Sequence, residues 1–415
     1  MVVTGKQIVA FFVGIILVLF SLQIENYIII GALIILVNVY FCFKARNNKL
    51  LFVLSFLLTF INNSVAFYDL ILNHINAPLW QRNGLLNSQY DMQTAKSILI
   101  TSIIVACIVV PKINKLPNIL QSLKRKNNDA ISCGLAICLS ILIVFGYFTE
   151  IRGRTGYSSV ANPVFEYSSI LLVIFWYYSG RHPKISFWFT NIYAVLYLGM
   201  FLSIGDRSSV AIILVTVFLL NFAGKLATWK FIVGAVAIIF VFNMIGYGRS
   251  HAGLSLSSLI LFSMTRGLYV DTISWSYYAS TTITALFTYV ENAWKFIPGN
   301  LLYFVTGIST KYSNMSKYGP RYIRDLYNAG GGLYPSYFYG MAGYVGVIVG
   351  AIILGCIIVS FFKQKRDVQG VYAILITVLA FRWYLYSIST LFRGVFVLAS
   401  LALLFCQIVI SVTAN

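Results

Sequence analysis

Arginine is the residue type in this sequence best suited to chemistry. Arg82, Arg152, Arg154, Arg207, Arg249, Arg266, Arg321, Arg324 and Arg393 fall in or beside connecting segments, and Arg382 lies inside an apolar run. Each guanidinium offers a planar fork that grips phosphate or carboxylate through two parallel hydrogen bonds, which the point charge of lysine does not do. Arg207, in Gly205-Asp206-Arg207-Ser208-Ser209, and Arg393, in Leu391-Phe392-Arg393-Gly394, stand where a connection leads into a helix. The dipole at that end disfavours a cation by about 0.3 to 1 kcal/mol and attracts an anion. An arginine there gains little structurally and much by joining backbone N–H groups around a phosphate. Arg249 follows the other end of its run, where the dipole favours a cation in any case. Arg152 and Arg154 flank Gly153 near Glu150, a set that clamps an acidic ligand or pairs with its own carboxylate. Arg382 is costly in lipid and must face a cavity or a partner. Against each of these stands the plainer account of a long side chain snorkelling to headgroups.

Groups able to move a proton are scarcer. Asp206, Glu150, Asp271 and His251 are the open choices for a general base. Asp206 reads equally as a helix N-cap, and His251, two residues after Arg249, as a structural histidine. No HExxH, GxSxG, phosphate-loop or paired CxxC pattern occurs, which disfavours zinc and nucleoside-phosphate enzymes. A pyrophosphate leaving group would then depend on arginines and helix termini, with no metal or cofactor called for.

The elements that must carry these residues are membrane helices. Hydrophobic residues make up 59% of the 415 and charged residues 10%, a balance that no water-soluble domain sustains. Runs long enough for a bilayer core centre on 8–22, 28–43, 50–70, 97–111, 130–148, 166–180, 185–204, 208–223, 231–247, 338–362, 369–389 and 394–411. Even-numbered crossings return the chain to loops holding Lys44, Arg46, Lys49, Lys112, Lys115, Lys124, Arg125, Lys126, Arg181, Lys184, Lys225, Lys230, Lys363, Lys365 and Arg366. That is the positive-inside pattern, and it puts both termini in the cytoplasm. The formal charge of +19 therefore reflects topology and not a nucleic-acid partner. On the outer side arginine outnumbers lysine, about nine to four, whereas the inner loops hold about twelve Lys and four Arg. The expectation is an all-α polytopic membrane protein, one integral domain over 1–415 with about twelve transmembrane helices.

One connection is long, from about Tyr247 to Tyr337, and lies outside in this topology. Its two apolar runs, 254–264 and 279–290, are too short to span and are expected to lie in or re-enter the interface. Tyr277, Tyr278, Trp294, Tyr334, Tyr337 and Tyr339 combine flat apolar faces with polar tips, which suits sugars and equally an interfacial aromatic belt.

The chain resembles the Wzy-type O-antigen polymerases, which join oligosaccharide repeat units in bacterial O-antigen and capsule synthesis. Nearly its whole length shares their topology. The resemblance is sharper at Ser203-Ile204-Gly205-Asp206-Arg207-Ser208, at Gly330-Gly331-Gly332-Leu333-Tyr334-Pro335-Ser336-Tyr337-Phe338-Tyr339-Gly340, and at Phe392-Arg393-Gly394. It implies a C-type membrane glycosyltransferase of the bacterial inner membrane, working at the periplasmic face on undecaprenyl-pyrophosphate-linked oligosaccharide, with a chain-length regulator as a further partner. It also implies that Arg207 and Arg393 hold the pyrophosphate and that the long loop covers the glycan groove. Arg152, Arg154, Arg249, Arg266, Arg321, Arg324, Arg382, Asp271, Tyr334 and Tyr337 are then the substrate-binding candidates. A flippase for the same lipid-linked sugar is the rival from another class, although no repeat symmetry or paired broken helices are visible in the sequence. An O-antigen ligase would share the donor chemistry and differ in acceptor.

Overall fold

The computed structural model describes residues 5–75, 85–151, 163–203, 206–225, 227–250, 255–289, 296–308 and 331–413. Among them there is no strand, only an isolated bridge between Asn127 and Ser179. The helices are α1 Gly5–Gln23, α2 Tyr27–Ala45, α3 Lys49–Ser64, α4 Gln89–Val109, α5 Ile119–Ser122, α6 Asp129–Gly146, α7 Pro163–Tyr178 and α8 Pro183–Ser203. They continue as α9 Arg207–Asn221, α10 Thr228–Ser250, α11 Leu256–Arg266, α12 Asp271–Tyr289, α13 Phe296–Thr306, α14 Tyr334–Phe362, α15 Asp367–Val378, α16 Ala380–Leu385 and α17 Ala399–Thr413. π-helical turns extend α3 through Val65–Ile71 and α6 through Tyr147–Ile151, and lead into α17 over Thr390–Leu398.

Among the described residues eight helical stretches are long and apolar enough to cross a membrane, and each coincides with an expected run. The other four expected runs fall on the shorter apolar helices Phe12–Gln23, Val164–Tyr178, Arg207–Asn221 and Asp367–Val378. The outward faces of the long and short helices together carry large apolar side chains such as Phe12, Ile141, Trp188, Val195, Val233 and Phe405. That inverts the surface of a water-soluble protein and fits lipid as the solvent.

Within the one domain expected, the chain forms two compact units. The first comprises Met1–Pro117, Val270–Gln364 and Ala380–Arg393; the second Asn118–Tyr269, Lys365–Leu379 and Gly394–Asn415. In the first, α4 is the central post, packed on α1, α2, α12 and α14. Because lipid supplies no hydrophobic drive between helices, close approach and interhelical hydrogen bonds hold such a post. Gly355 of α14 brings its backbone against Ile108, and Gly31 of α2 brings its own against Ala66 O and Ile71. Asn38 and Asn62 each donate to Ser102 Oγ, at 3.1 and 3.3 Å, Asn62 also donates to Asn38 Oδ1, and Tyr384 OH donates to Asn62 Oδ1 at 2.9 Å. Four helices are tied by that one polar knot.

The second unit is organised by aromatic packing. Phe165, Phe175, Tyr193, Tyr197 and Phe201 stack along the facing sides of α7 and α8, with Val210, Ile213 and Val217 of α9 closing the core. Arg125 caps the C-terminal end of α7, donating from Nε to Trp176 O and from Nη2 to Ser179 O, each at 2.9 Å, with its plane 4.6 Å from the Trp176 ring. A cation at that end meets the favourable sign of the dipole.

The long connection departs from expectation in one half. Its first apolar run is α11, with Leu256, Ile260, Leu261 and Met264 exposed along it. The second is the C-terminal part of α12, a helix of 19 residues that does not lie exposed but is buried in the first unit against α4 and α14. Serine and threonine dilute the hydropathy of α12, yet they bury cheaply because the helix backbone satisfies them. Ser280 Oγ donates to Ser276 O and Thr281 Oγ1 to Tyr278 O, both at 2.7 Å, while Thr94 and Thr284 share a bond of 2.9 Å across to α4.

Candidate functional site

α14 does not run straight. Ala342 (φ −151°, ψ 27°) and Gly343 (φ 58°, ψ −146°) leave the helical region, and the chain reverses there. Tyr334 OH donates to Gly350 O at 2.8 Å across 16 residues, a separation of about 24 Å in a continuous helix. The glycines permit the fold-back: a Cβ on Gly346 would lie 2.1 Å from Phe338 O, and one on Gly350 2.5 Å from the Phe338 ring. The glycine- and tyrosine-rich motif singled out in the sequence is thus the short arm of a helical hairpin. Tyr334 is wholly buried and stacks on Tyr384 at 6.2 Å, while Tyr337 OH donates to Tyr386 O at 2.8 Å. Both were expected to bind substrate. Both are instead core side chains whose hydroxyls are already spent, because the reversal buries the face that a straight helix would present.

Two arginines border this arm. Arg382 occupies the last turn of α16, half-buried, its guanidinium 4.6 Å from the Tyr386 ring. Tyr386 in turn packs against Gly331, where a Cβ would come within 3.3 Å of its ring. Arg393 lies in the first turn of the Thr390–Leu398 segment, as the helix-dipole argument requires, and presses on Gly307: a Cβ there would stand 1.9 Å from Nη1. Gly307 also has φ 77°, so both sterics and backbone demand glycine. Phe304 and Phe392 stack beside it at 6.2 Å with planes 10° apart, and Phe304 meets Tyr337 edge-on at 6.1 Å. Arg393 with Gly307, Phe304 and Phe392, and Arg382 with Gly331 and Tyr386, are the candidate anion-binding positions of the first unit.

Arg207 belongs to the second unit, as the first residue of α9. Its Nη1 reaches Phe242 O at 3.4 Å, a long bond to α10. Asp206 is corrected from a candidate base to an N-cap. Its carboxylate accepts from Ser209 N at 3.3 Å, Ser209 Oγ at 2.6 Å and Ser208 Oγ at 3.0 Å, so its lone pairs serve the helix end. Asp271 likewise opens α12 and accepts from Thr272 N at 3.0 Å. Arg266 closes α11 with its guanidinium over Phe262 (4.8 Å) and Tyr269 (5.2 Å). Arg82, Arg152, Arg154, His251, Arg321, Arg324 and Trp294 lie outside the described residues, as do the side chains of Glu150 and Arg249.

The densest polar cluster of the first unit is one that sequence reasoning passed over. Asp69, in the π-helical extension of α3, and Asp91, in α4, flank His74. His74 Nε2 is 2.8 Å from Asp91 Oδ2 and Nδ1 is 3.8 Å from Asp69 Oδ1. From α12, Ser274 and Tyr278 each donate to Asp69 at 2.9 Å and Tyr277 donates to Asp91. All three charged groups are buried. Asn73 (φ 48°) and His74 (φ 56°) are left-handed, and His74 N donates to Asp69 O, which folds the ring back between the carboxylates. Burial pushes the imidazole down, but bonding and attraction from Asp69 and Asp91 outweigh it and raise it from its ordinary 6.5 to about 9. The readable signal was small: an Asp and a His five apart at the end of one span, and an Asp opening the next helix.

The chain matches no family model, no curated protein and no solved structure. What the two sites can do follows from their chemistry. Half-buried guanidiniums bordered by rings suit an anion with an apolar or sugar-like body, whereas an Asp-His-Asp set buried among the described residues suits the binding of a proton.

Proposed function

We propose that this protein is a glycosyltransferase of the bacterial inner membrane that polymerises undecaprenyl-pyrophosphate-linked oligosaccharide repeat units at the periplasmic face. In this reading twelve helices span the membrane, the four shorter apolar helices included, with both termini cytoplasmic. The observation that carries it is Arg393: a guanidinium in the first turn of a helix, lodged where only glycine fits at Gly307 and set beside the stacked Phe304 and Phe392. Such a site stabilises the charge that develops on a departing pyrophosphate, and rings of that kind receive the apolar faces of lipid or sugar. Arg382 adds a second cation in the same unit. Arg207 is the further arginine that the resemblance implicates.

The test is to incubate purified protein in nanodiscs with undecaprenyl-pyrophosphate-linked oligosaccharide and resolve products by length, with Arg393→Ala alongside. A ladder of repeats that the variant loses supports the polymerase. Elongation that survives in Arg393→Ala removes its central residue. Activity is expected to persist in chelator; loss that divalent metal restores would overturn a purely arginine-based leaving-group site.

A flippase of the same lipid-linked sugar is the second reading, favoured by the reversal at Ala342–Gly343 and the break between α15 and α16 at Leu379. Interrupted helices with half-helix ends are the usual cradle of transported anions. Movement of labelled lipid-linked sugar across a vesicle bilayer, with no ladder formed, would decide for it.

A further inference from the structure

We infer that Asp69, His74 and Asp91 form a buried proton-binding site that holds one proton on His74 and uses it to fasten α12 into the first unit. The inference stands apart from glycosyl transfer and does not rest on it. Donor counting leads to it. Ionised carboxylates only accept, and Asp91 accepts from Tyr277 OH, from Asn87 N at 2.9 Å and from His74 Nε2. Nε2 therefore carries a hydrogen. Nδ1, buried and with no hydrogen-bond partner among the described residues, faces Asp69 Oδ1 at 3.8 Å. With Asp69 ionised, a lone pair pointing at its carboxylate would be repelled whereas an N–H there is attracted, so in that state both ring nitrogens are protonated and His74 is an imidazolium between two carboxylates.

Among the described residues no Lys or Arg donates to Asp69 or Asp91. Asp69 comes from the α3 extension, Asp91 and Tyr90 from α4, Tyr277 and Tyr278 from α12, and Tyr27 of α2 lies within electrostatic reach of Asp91. Tyr339 of α14 stands beside Tyr90, and Asp271 is one turn before Ser274 on α12. Lys96, further along α4, donates instead to Leu22 O at 2.8 Å. Two carboxylates and one imidazolium leave a net charge of −1. Removing the Nδ1 proton leaves a neutral ring, still bonded through Nε2 to Asp91, and two buried carboxylates with no compensating positive charge, and the elevated affinity of the imidazole for its proton expresses that cost. Because Ser274, Tyr277 and Tyr278 all come from one helix, the cost falls on the seating of α12.

Only three histidines occur, so ¹⁵N spectra of the full chain in nanodiscs resolve each ring. His74 is expected to remain doubly protonated at pH 8 and to lose a proton near pH 9, and Asp91→Asn, nearly isosteric, should move that titration down by at least about one pH unit. A neutral His74 at pH 7 overturns the site, as does an unchanged titration in Asp91→Asn. Hydrogen exchange over 271–289, corrected for its intrinsic pH dependence, reports the fastening. Protection should fall by about tenfold or more between about pH 6.5 and 9, where an opened α12 lets His74 give up the proton that the seated state still holds. Protection that stays level across that range would overturn the coupling to α12.

Discussion

At the scale of single residues, Gly307 and Arg393 make a pair that separates chemistry from stability. Under the proposed reading Arg393→Lys keeps the charge and loses the fork, and elongation is expected to fall by about ten- to a hundredfold, the worth of a charged hydrogen bond. Gly307→Ala leaves Arg393 intact but puts a methyl where Nη1 lies and strains a left-handed residue. It should lower stability by only about 1 to 2 kcal/mol while reproducing much of the Arg393→Lys defect. Length-resolved products from matched membranes, with expression level as control, check both. Arg207→Lys is expected to abolish activity without loss of membrane insertion; full activity in that variant would show that the proposed reaction does not need Arg207.

Among the elements, α14 is the one whose form decides what its side chains can do. Phe338 packs across Gly346 and Gly350 in the fold-back, so Gly350→Ala forces a ring to move in a closed interior. The expected loss is about 1 to 3 kcal/mol, read as a lower thermal midpoint in detergent. Gly199 of α8, with nothing within reach of an added Cβ, is the control that should not lose stability on substitution by alanine. α12 is the complementary case. Its serines and threonines hide a buried helix behind a modest hydropathy, and its three polar contacts to Asp69 and Asp91 seat it as firmly as any apolar stripe.

For the molecule as a whole, His74 sets a pH dependence of stability. Its affinity for a proton is raised in the folded state, from 6.5 to about 9, so the stabilisation is fully present below about pH 6.5 and is lost as pH rises through about 9. Thermal midpoints should hold level below about pH 6.5, decline between about pH 6.5 and 9, and level off above. In His74→Gln that decline should largely disappear from an already lower midpoint. A wild type whose midpoint does not fall between about pH 6.5 and 9 would contradict it. The two compact units also interleave in sequence, with chain crossings at Pro117, Tyr269, Gln364, Leu379 and Arg393. Arg393, the residue on which the proposed function turns, thus ends the last segment of the first unit.

Lipid as solvent, the positions of the long apolar helices and the N-terminal-turn placement of Arg207 and Arg393 were all written in the sequence. Hydropathy, helix-end chemistry and charge are local properties, and a bilayer leaves the backbone little choice but the helix. The fold-back of α14 was not legible, because Gly343, Gly346 and Gly350 announce freedom, and only Phe287 against the first and Phe338 against the other two show which way the chain turns. Nor was the burial of Tyr334 and Tyr337, which read as sugar-binding rings until the reversal spent their hydroxyls. The Asp69-His74-Asp91 centre escaped for the same reason: its partners lie up to 209 residues apart. A buried charge is defined by what surrounds it, and only the packing of α3, α4 and α12 supplies the surroundings.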